Sequence, residues 1–246
     1  MSVNITQFNN YVAAGEFSVG VNTNENNNLL ETITFVEEEH LTRLLGARLY
    51  NALQTDLAIN NDGTATAQKW IDFINGVSYV DPSASDYTIN YQGVLRMLKG
   101  FVFWQYISEH QYKRTSTGVR KLNAENSSMV DTQMTNALIR RKYNKSVDLY
   151  LCAQHFIDDF KTYEATATSI VESPSTTYTV TISDTKYLAN GDTVTIEGNE
   201  YTVANLVNDT SFEFTATTGL TFTDLTVNWQ PFKDFKPVKK HYIQFA

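Results

Sequence analysis

The chain has one cysteine, Cys152, in 246 residues. A disulfide framework and a cysteine-based zinc centre are therefore excluded. Charge is also sparse, at 19% of residues, and basic charge sparser still: 19 Lys and Arg against 27 Asp and Glu, a net of −8. That balance argues against free, nonspecific binding to duplex nucleic acid. No apolar run approaches the roughly 18–20 residues of a membrane helix, so no membrane partner is expected. The opening MSVNITQFNN has neither the basic stretch nor the apolar core of a signal peptide. The expectation is a soluble chain used without secretion. Phosphate-cradling glycine loops, dinucleotide fingerprints and metalloprotease helices are all missing. Gly15–Gly20 has the wrong spacing for a nucleophile elbow and no strand before it.

What is present is enough apolar and aromatic material for a real core, 42% and 13% of the residues. It is unevenly spread. Residues 1–165 carry 14 basic and 18 acidic side chains, residues 166–232 carry 1 and 8, and residues 233–246 carry 4 and 1. Threonine supplies 17 of the 67 residues in the middle stretch. The composition steps predict an α+β multidomain chain. Its parts are an Asn-rich N-terminal arm (1–28), a helical domain (29–165), a small all-β barrel or sandwich (166–232) and an extended basic C-terminal tail (233–246).

Helical spacing starts near Leu30 and places Ile33, Phe35, Val36, Leu41, Leu44, Leu45, Leu49 and Leu53 largely on one face. Thr34 is a candidate N-cap, and Gly46 inside this run suggests close packing against another backbone. A short helix with Trp70, Ile71 and Ile74 inward follows. Residues 76–90 read as a loop, Val94–Tyr112 as a nearly apolar central helix and Thr115–Ser128 as a second loop. Asp131–Tyr163 reads as a long last helix with Met134, Leu138, Val147, Leu151 and Ile157 as apolar anchors. About four helices with short or medium loops predict an all-α bundle. After Glu164 the period changes to two, in Thr177–Ser183, Asp192–Glu197, Glu200–Val203, Ser211–Thr215 and Leu225–Trp229. Asn190-Gly191, Gly198-Asn199 and Asn208-Asp209 supply the turns between them.

Candidate chemistry is thin. Glu37-x-x-His40 matches the unit of di-iron bundles, but that site needs a second such unit, and none exists; a solvated acidic turn is the simpler reading. His155 stands one turn from Asp158 and Asp159, without a nucleophile to serve. Cys152, among Tyr150, Leu151 and Phe156, reads as a buried inert thiol. No catalytic residue, metal site or cofactor is expected, and the chain is not expected to be an enzyme. One stretch stands out: between Lys113 and Lys145 there are eight basic residues and two acidic ones. Arg120 and Lys121 flank the loop, while Arg140, Arg141, Lys142 and Lys145 lie on the helix after it. Arg141 and Lys145 share a face, and Arg140 points elsewhere. The reading is contact with a phosphate backbone or an acidic partner, against a plain solvated helix face.

The segment Phe35-Val-Glu-Glu-Glu-His-Leu-Thr-Arg-Leu-Leu-Gly-Ala-Arg-Leu-Tyr-Asn-Ala-Leu53 resembles the opening helix of head–tail connector proteins of tailed bacteriophages, and most of all those of crAss-like and related phages of Bacteroidetes. Gly100–Glu109 and Thr117-Gly-Val-Arg-Lys-Leu-Asn-Ala-Glu-Asn126 fit the same pattern. The resemblance implies a virion protein of the head–tail interface, assembled in the host cytoplasm. It implies a homo-oligomeric ring, usually about a dozen copies, docked on a portal protein. Further tail or ring proteins would lie below it, with genomic DNA passing through the centre. On that reading Arg140, Arg141, Lys142, Lys145, Arg120 and Lys121 are candidates for channel or partner contact. The segment Tyr187–Phe214 is similar to small β-barrel modules of phage structural proteins, and likeness of scaffold carries no activity. The alternative is a β-module that binds a host glycan or protein receptor, with Tyr187, Phe222 and Trp229 as its aromatic contacts.

Overall fold

In the computed structural model, which describes residues 23–60, 64–110, 112–115, 118–121, 132–173, 176–233 and 235–238, helices come first and paired strands follow. The first helix, α1 (Thr23–Asn60), starts before Leu30, so the last residues of the expected arm are helical. Residues 1–22, the bulk of that arm, lie outside the described residues, as do tail residues 239–246. Leu29, Ile33, Val36, Leu44, Leu45, Leu53 and Leu57 are buried along α1, but Phe35, expected on the same face, is 55% exposed, because it lies about 160° around the helix from Ile33. Thr34 is no cap: it lies inside the helix, and its Oγ1 donates to the Leu30 carbonyl at 2.9 Å. Gly46, at φ 74° and ψ 162°, breaks α1 into two helical segments. A Cβ there would meet nothing within 4 Å. The glycine serves the backbone turn, not the close packing expected of it.

Asp56 on α1 starts the next helix. Its carboxylate accepts from the Thr66 N–H (2.8 Å), the Thr66 hydroxyl (2.6 Å) and the Ala67 N–H (3.0 Å). Then α2 (Gln68–Asn75) buries Trp70, Phe73 and Ile74. The expected loop at 76–90 is instead a hairpin of β1 (Val77–Asp81) and β2 (Ala84–Tyr91), with Val77 opposite Tyr91 and Tyr79 opposite Ile89. Asp81 Oδ1 closes its turn by accepting from the Ser83 N–H and hydroxyl. α3 (Val94–His110) packs against both α1 and α4 (Thr132–Asp159). Part of the second expected loop is a small hairpin, β3 (Tyr112–Thr115) with β4 (Gly118–Lys121). The rest of the Thr117–Asn126 motif lies outside the described residues. α4 stops at Asp159, because the chain is already extended at Tyr163. Val147 and Ile157 are buried as its expected anchors, but Leu138 is 46% exposed, on the side of α4 away from Val147.

Eight strands follow: β5 (Tyr163–Thr166), β6 (Ser169–Ser173), β7 (Thr177–Thr181), β8 (Thr193–Ile196), β9 (Asn199–Thr202), β10 (Ala204–Val207), β11 (Ser211–Thr215) and β12 (Thr226–Trp229). They form two antiparallel four-stranded sheets, in the orders β10-β11-β7-β6 and β5-β12-β8-β9. The sheets do not close into a barrel, so the sandwich alternative is the one adopted. Alternation puts Tyr178, Val180, Phe212 and Phe214 from one sheet, and Val194, Ile196, Val227 and Trp229 from the other, into a common core.

The sandwich is welded to the helices. Tyr187 and Phe232 belong to the helical core, with Phe232 edge-on to Trp70 (5.7 Å) and to Phe156 (6.0 Å). Phe235, in the expected tail, is buried there too. The Tyr187 hydroxyl donates to Asp72 Oδ2 at 2.9 Å, and Lys69 Nζ lies 3.5 Å from Asp192 Oδ2. Burial first, and the Asp72 carboxylate second, push the Tyr187 phenol well above its ordinary value, which favours the hydroxyl as a donor to that carboxylate.

Candidate functional site

The helices α3 and α4 meet closely at Gly100, where α3 has no side chain. A Cβ on Gly100 would lie 1.9 Å from Ser146 Oγ. The residues one turn away on either side therefore converge. Arg96, Lys99 and Phe103 from α3, with Lys142, Lys145 and Leu149 from α4, line a groove of about 110 Å³ around Gly100 and Ser146. Spacings of three and four residues put each set on one face of its helix. Four cations line this groove and no carboxylate does, among the described residues.

Each contact shapes the groove. Ser146, 2% exposed, donates its hydroxyl to the Lys142 carbonyl at 3.1 Å, so its polar atom is satisfied within α4. Arg96 Nη1 donates to Gln92 Oε1 at 2.6 Å, which holds the guanidinium near the helix start. Lys142 Nζ stands 5.4 Å from the centre of the Phe103 ring, a cation–π contact that positions its charge without neutralising it. Such an assembly suits an oxyanion or an acidic surface, because positive charges held together repel unless an anion lies among them.

Of the residues singled out in the sequence, Lys142 and Lys145 come together here. Arg141 is exposed outside the groove and Arg140 is half-buried. Arg120 and Lys121 lie on β4, and their side chains are outside the described residues. Sequence reasoning missed Arg96 and Lys99, which sit more than forty positions upstream in an apolar helix; the signal was their spacing around Gly100.

The remaining candidates separate. Glu37 and His40 are buried, not a solvated turn, and His40 stacks on Phe101 with ring centres 4.0 Å apart. No group of three or more His, Cys, Asp or Glu able to hold a metal occurs among the described residues. Asp159 accepts from the Tyr79 hydroxyl at 2.5 Å, and His155 is exposed. Cys152 is exposed instead of buried, and partial desolvation followed by the Asp148 charge raises its thiol pKa, which disfavours the thiolate. Tyr187 and Trp229 are buried and Phe222 is half-buried. No described helix is long and apolar enough to cross a membrane.

Residues 41–169, just over half of the chain, match the model described as Family of unknown function (DUF6712), and the chain belongs to that family. No curated protein and no solved structure matches it.

Proposed function

We propose that this member of the DUF6712 family is a structural virion protein, a subunit of a head–tail connector ring that docks on the portal and surrounds the DNA channel. The observation that carries the reading is the groove between α3 and α4. On a chain of net charge −8, two separate helices bring Arg96, Lys99, Lys142 and Lys145 to one place. A ring of such subunits presents a repeated belt of positive charge to the phosphates of a passing duplex, with no need for sequence readout. The sandwich has one cation among residues 166–232 and is suited to face another protein. A receptor-binding sandwich has less support, since Tyr187 and Trp229 are committed to the core. The role is non-enzymatic and uses no cofactor.

Quantitative peptide mass spectrometry of particles of the encoding virus tests this. About a dozen copies per particle is the expected count for a closed ring at one vertex. Hundreds of copies would make it a decoration or tube protein, and absence from the particle would end the structural reading. Joint charge reversal of Arg140, Arg141, Lys142 and Lys145 should impair DNA retention or assembly.

A further inference from the structure

Two exposed helix stripes match each other in chemistry and cannot meet within one chain. On α1, Glu31, Phe35 and Glu38 follow one another at spacings of four and three. Both glutamates are exposed and Phe35 is 55% exposed. On α4, Leu138, Arg141 and Lys145 run at spacings of three and four, with Leu138 46% exposed and both cations exposed. One stripe is an apolar anchor with two anions; the other is an apolar anchor with two cations. None of the four charges has an ion-pair partner among the described residues. The inner side of α4 is marked by Tyr143, whose ring meets Phe101, itself stacked on His40 of α1. Arg141 and Lys145 lie about 160° around the helix from Tyr143, so they point away from their own α1.

We propose that these stripes form the contact between copies of the chain, the Glu31–Phe35–Glu38 face of one subunit packing on the Leu138–Arg141–Lys145 face of the next. This rests on the ring reading and names the surfaces that close it. A contact of this kind is heterologous, because the two faces differ, and it propagates around a ring instead of ending at a dimer. An isologous pairing of either face would set like charges against each other. The exposed Phe35 and Leu138 supply the apolar centre, and the charges set register and partner choice. Lys145 then sits at the edge between interface and groove, and Arg96 and Lys142 stay on the groove side.

The test uses the full chain at low salt, with sedimentation velocity for assembly. Carbodiimide cross-linking followed by peptide mapping locates the contact. The expected result is an inter-subunit amide between Glu31 or Glu38 and Lys145. E31K/E38K and R141E/K145E should each weaken self-association on the order of tenfold or more. Combining all four substitutions in one chain should restore it. All four positions are exposed, so the single-face variants keep the fold, which circular dichroism verifies. Oligomers that form without that cross-link, or a four-fold swap that fails to restore assembly, overturn the interface. So does a chain that stays monomeric at the highest concentration reached. The copy number in particles is read independently, so about a dozen copies without this contact would leave the connector reading standing.

Discussion

Replacing a glycine inside a helix by alanine ordinarily stabilises it by about 1 kcal/mol, because glycine loses more backbone freedom on folding. Gly100→Ala should do the opposite. The new methyl would fall 1.9 Å from Ser146 Oγ, 3.3 Å from Ser146 Cβ and 3.4 Å from the Lys142 carbonyl oxygen. The hydroxyl must rotate away and give up its 3.1 Å bond to Lys142, or the helices must part. Overpacking of this sort costs about 1–3 kcal/mol. Set against the propensity gain, the net is between neutral and about 2 kcal/mol destabilising, a fall of up to several degrees in Tm for a chain of this length. Ser146→Ala removes the closest atom and leaves the 3.3 and 3.4 Å contacts, which a few tenths of an ångström relieves. In that background Gly100→Ala should recover most of the propensity gain. Urea unfolding of the wild type, both single variants and the double variant gives the coupling directly, expected at about 1–3 kcal/mol. A Gly100→Ala protein about 1 kcal/mol more stable than wild type, with no coupling to Ser146, would refute the close crossing on which the groove depends.

Two further outcomes follow from the junction and the sandwich. Phe232→Ala empties a fully buried site between Trp70 and Phe156 and should cost about 3–5 kcal/mol; limited proteolysis should show helices and sandwich loosening together, and a sandwich released alone would contradict a shared core. Glu197 accepts from the Thr223 N–H, the Thr223 hydroxyl and the Asp224 N–H, bonds that hold its pKa below the ordinary 4.5. Its stabilisation is complete above that value and is lost as the pH falls through the lower folded value. Glu197→Gln should therefore flatten the acid limb of a thermal-melt series, and an unchanged limb would count against the cluster.

The helical half was legible where one face of a helix is buried, as along Leu44, Leu45, Leu49 and Leu53, because burial writes a period into the sequence. The β1–β2 hairpin was not, since Ser78, Asp86, Tyr87, Thr88 and Asn90 dilute an alternation that only Val77, Tyr79, Ile89 and Tyr91 carry. Glu37 and His40 look like surface residues in one dimension; the ring of Phe101 that covers His40 comes from another helix. The groove was half legible for the same reason. Lys142 and Lys145 are neighbours in the chain, but their companions Arg96 and Lys99 arrive through Gly100, whose role depends on a residue far along the sequence. The expected tail misled because its composition is dominated by lysine, while Phe235, three residues past the buried Phe232, folds inward.

The pairing of β5 with β12 sets Tyr163 opposite Trp229, so the chain leaves the helices and comes back to them at a single place. Entry to and exit from the sandwich thus lie side by side, while Tyr187 and Asp192 tie it to the helices through Asp72 and Lys69. Residues can be gained or lost at its far turns, around Gly198 or Gly219, without shifting α4 or the returning Phe232. A load that separates Tyr163 from Trp229 would open that ladder one bond at a time, like a zipper. Phe160, Tyr187 and Phe232, clustered where the sandwich meets the helical core, are the clasp that keeps such a load from reaching that ladder.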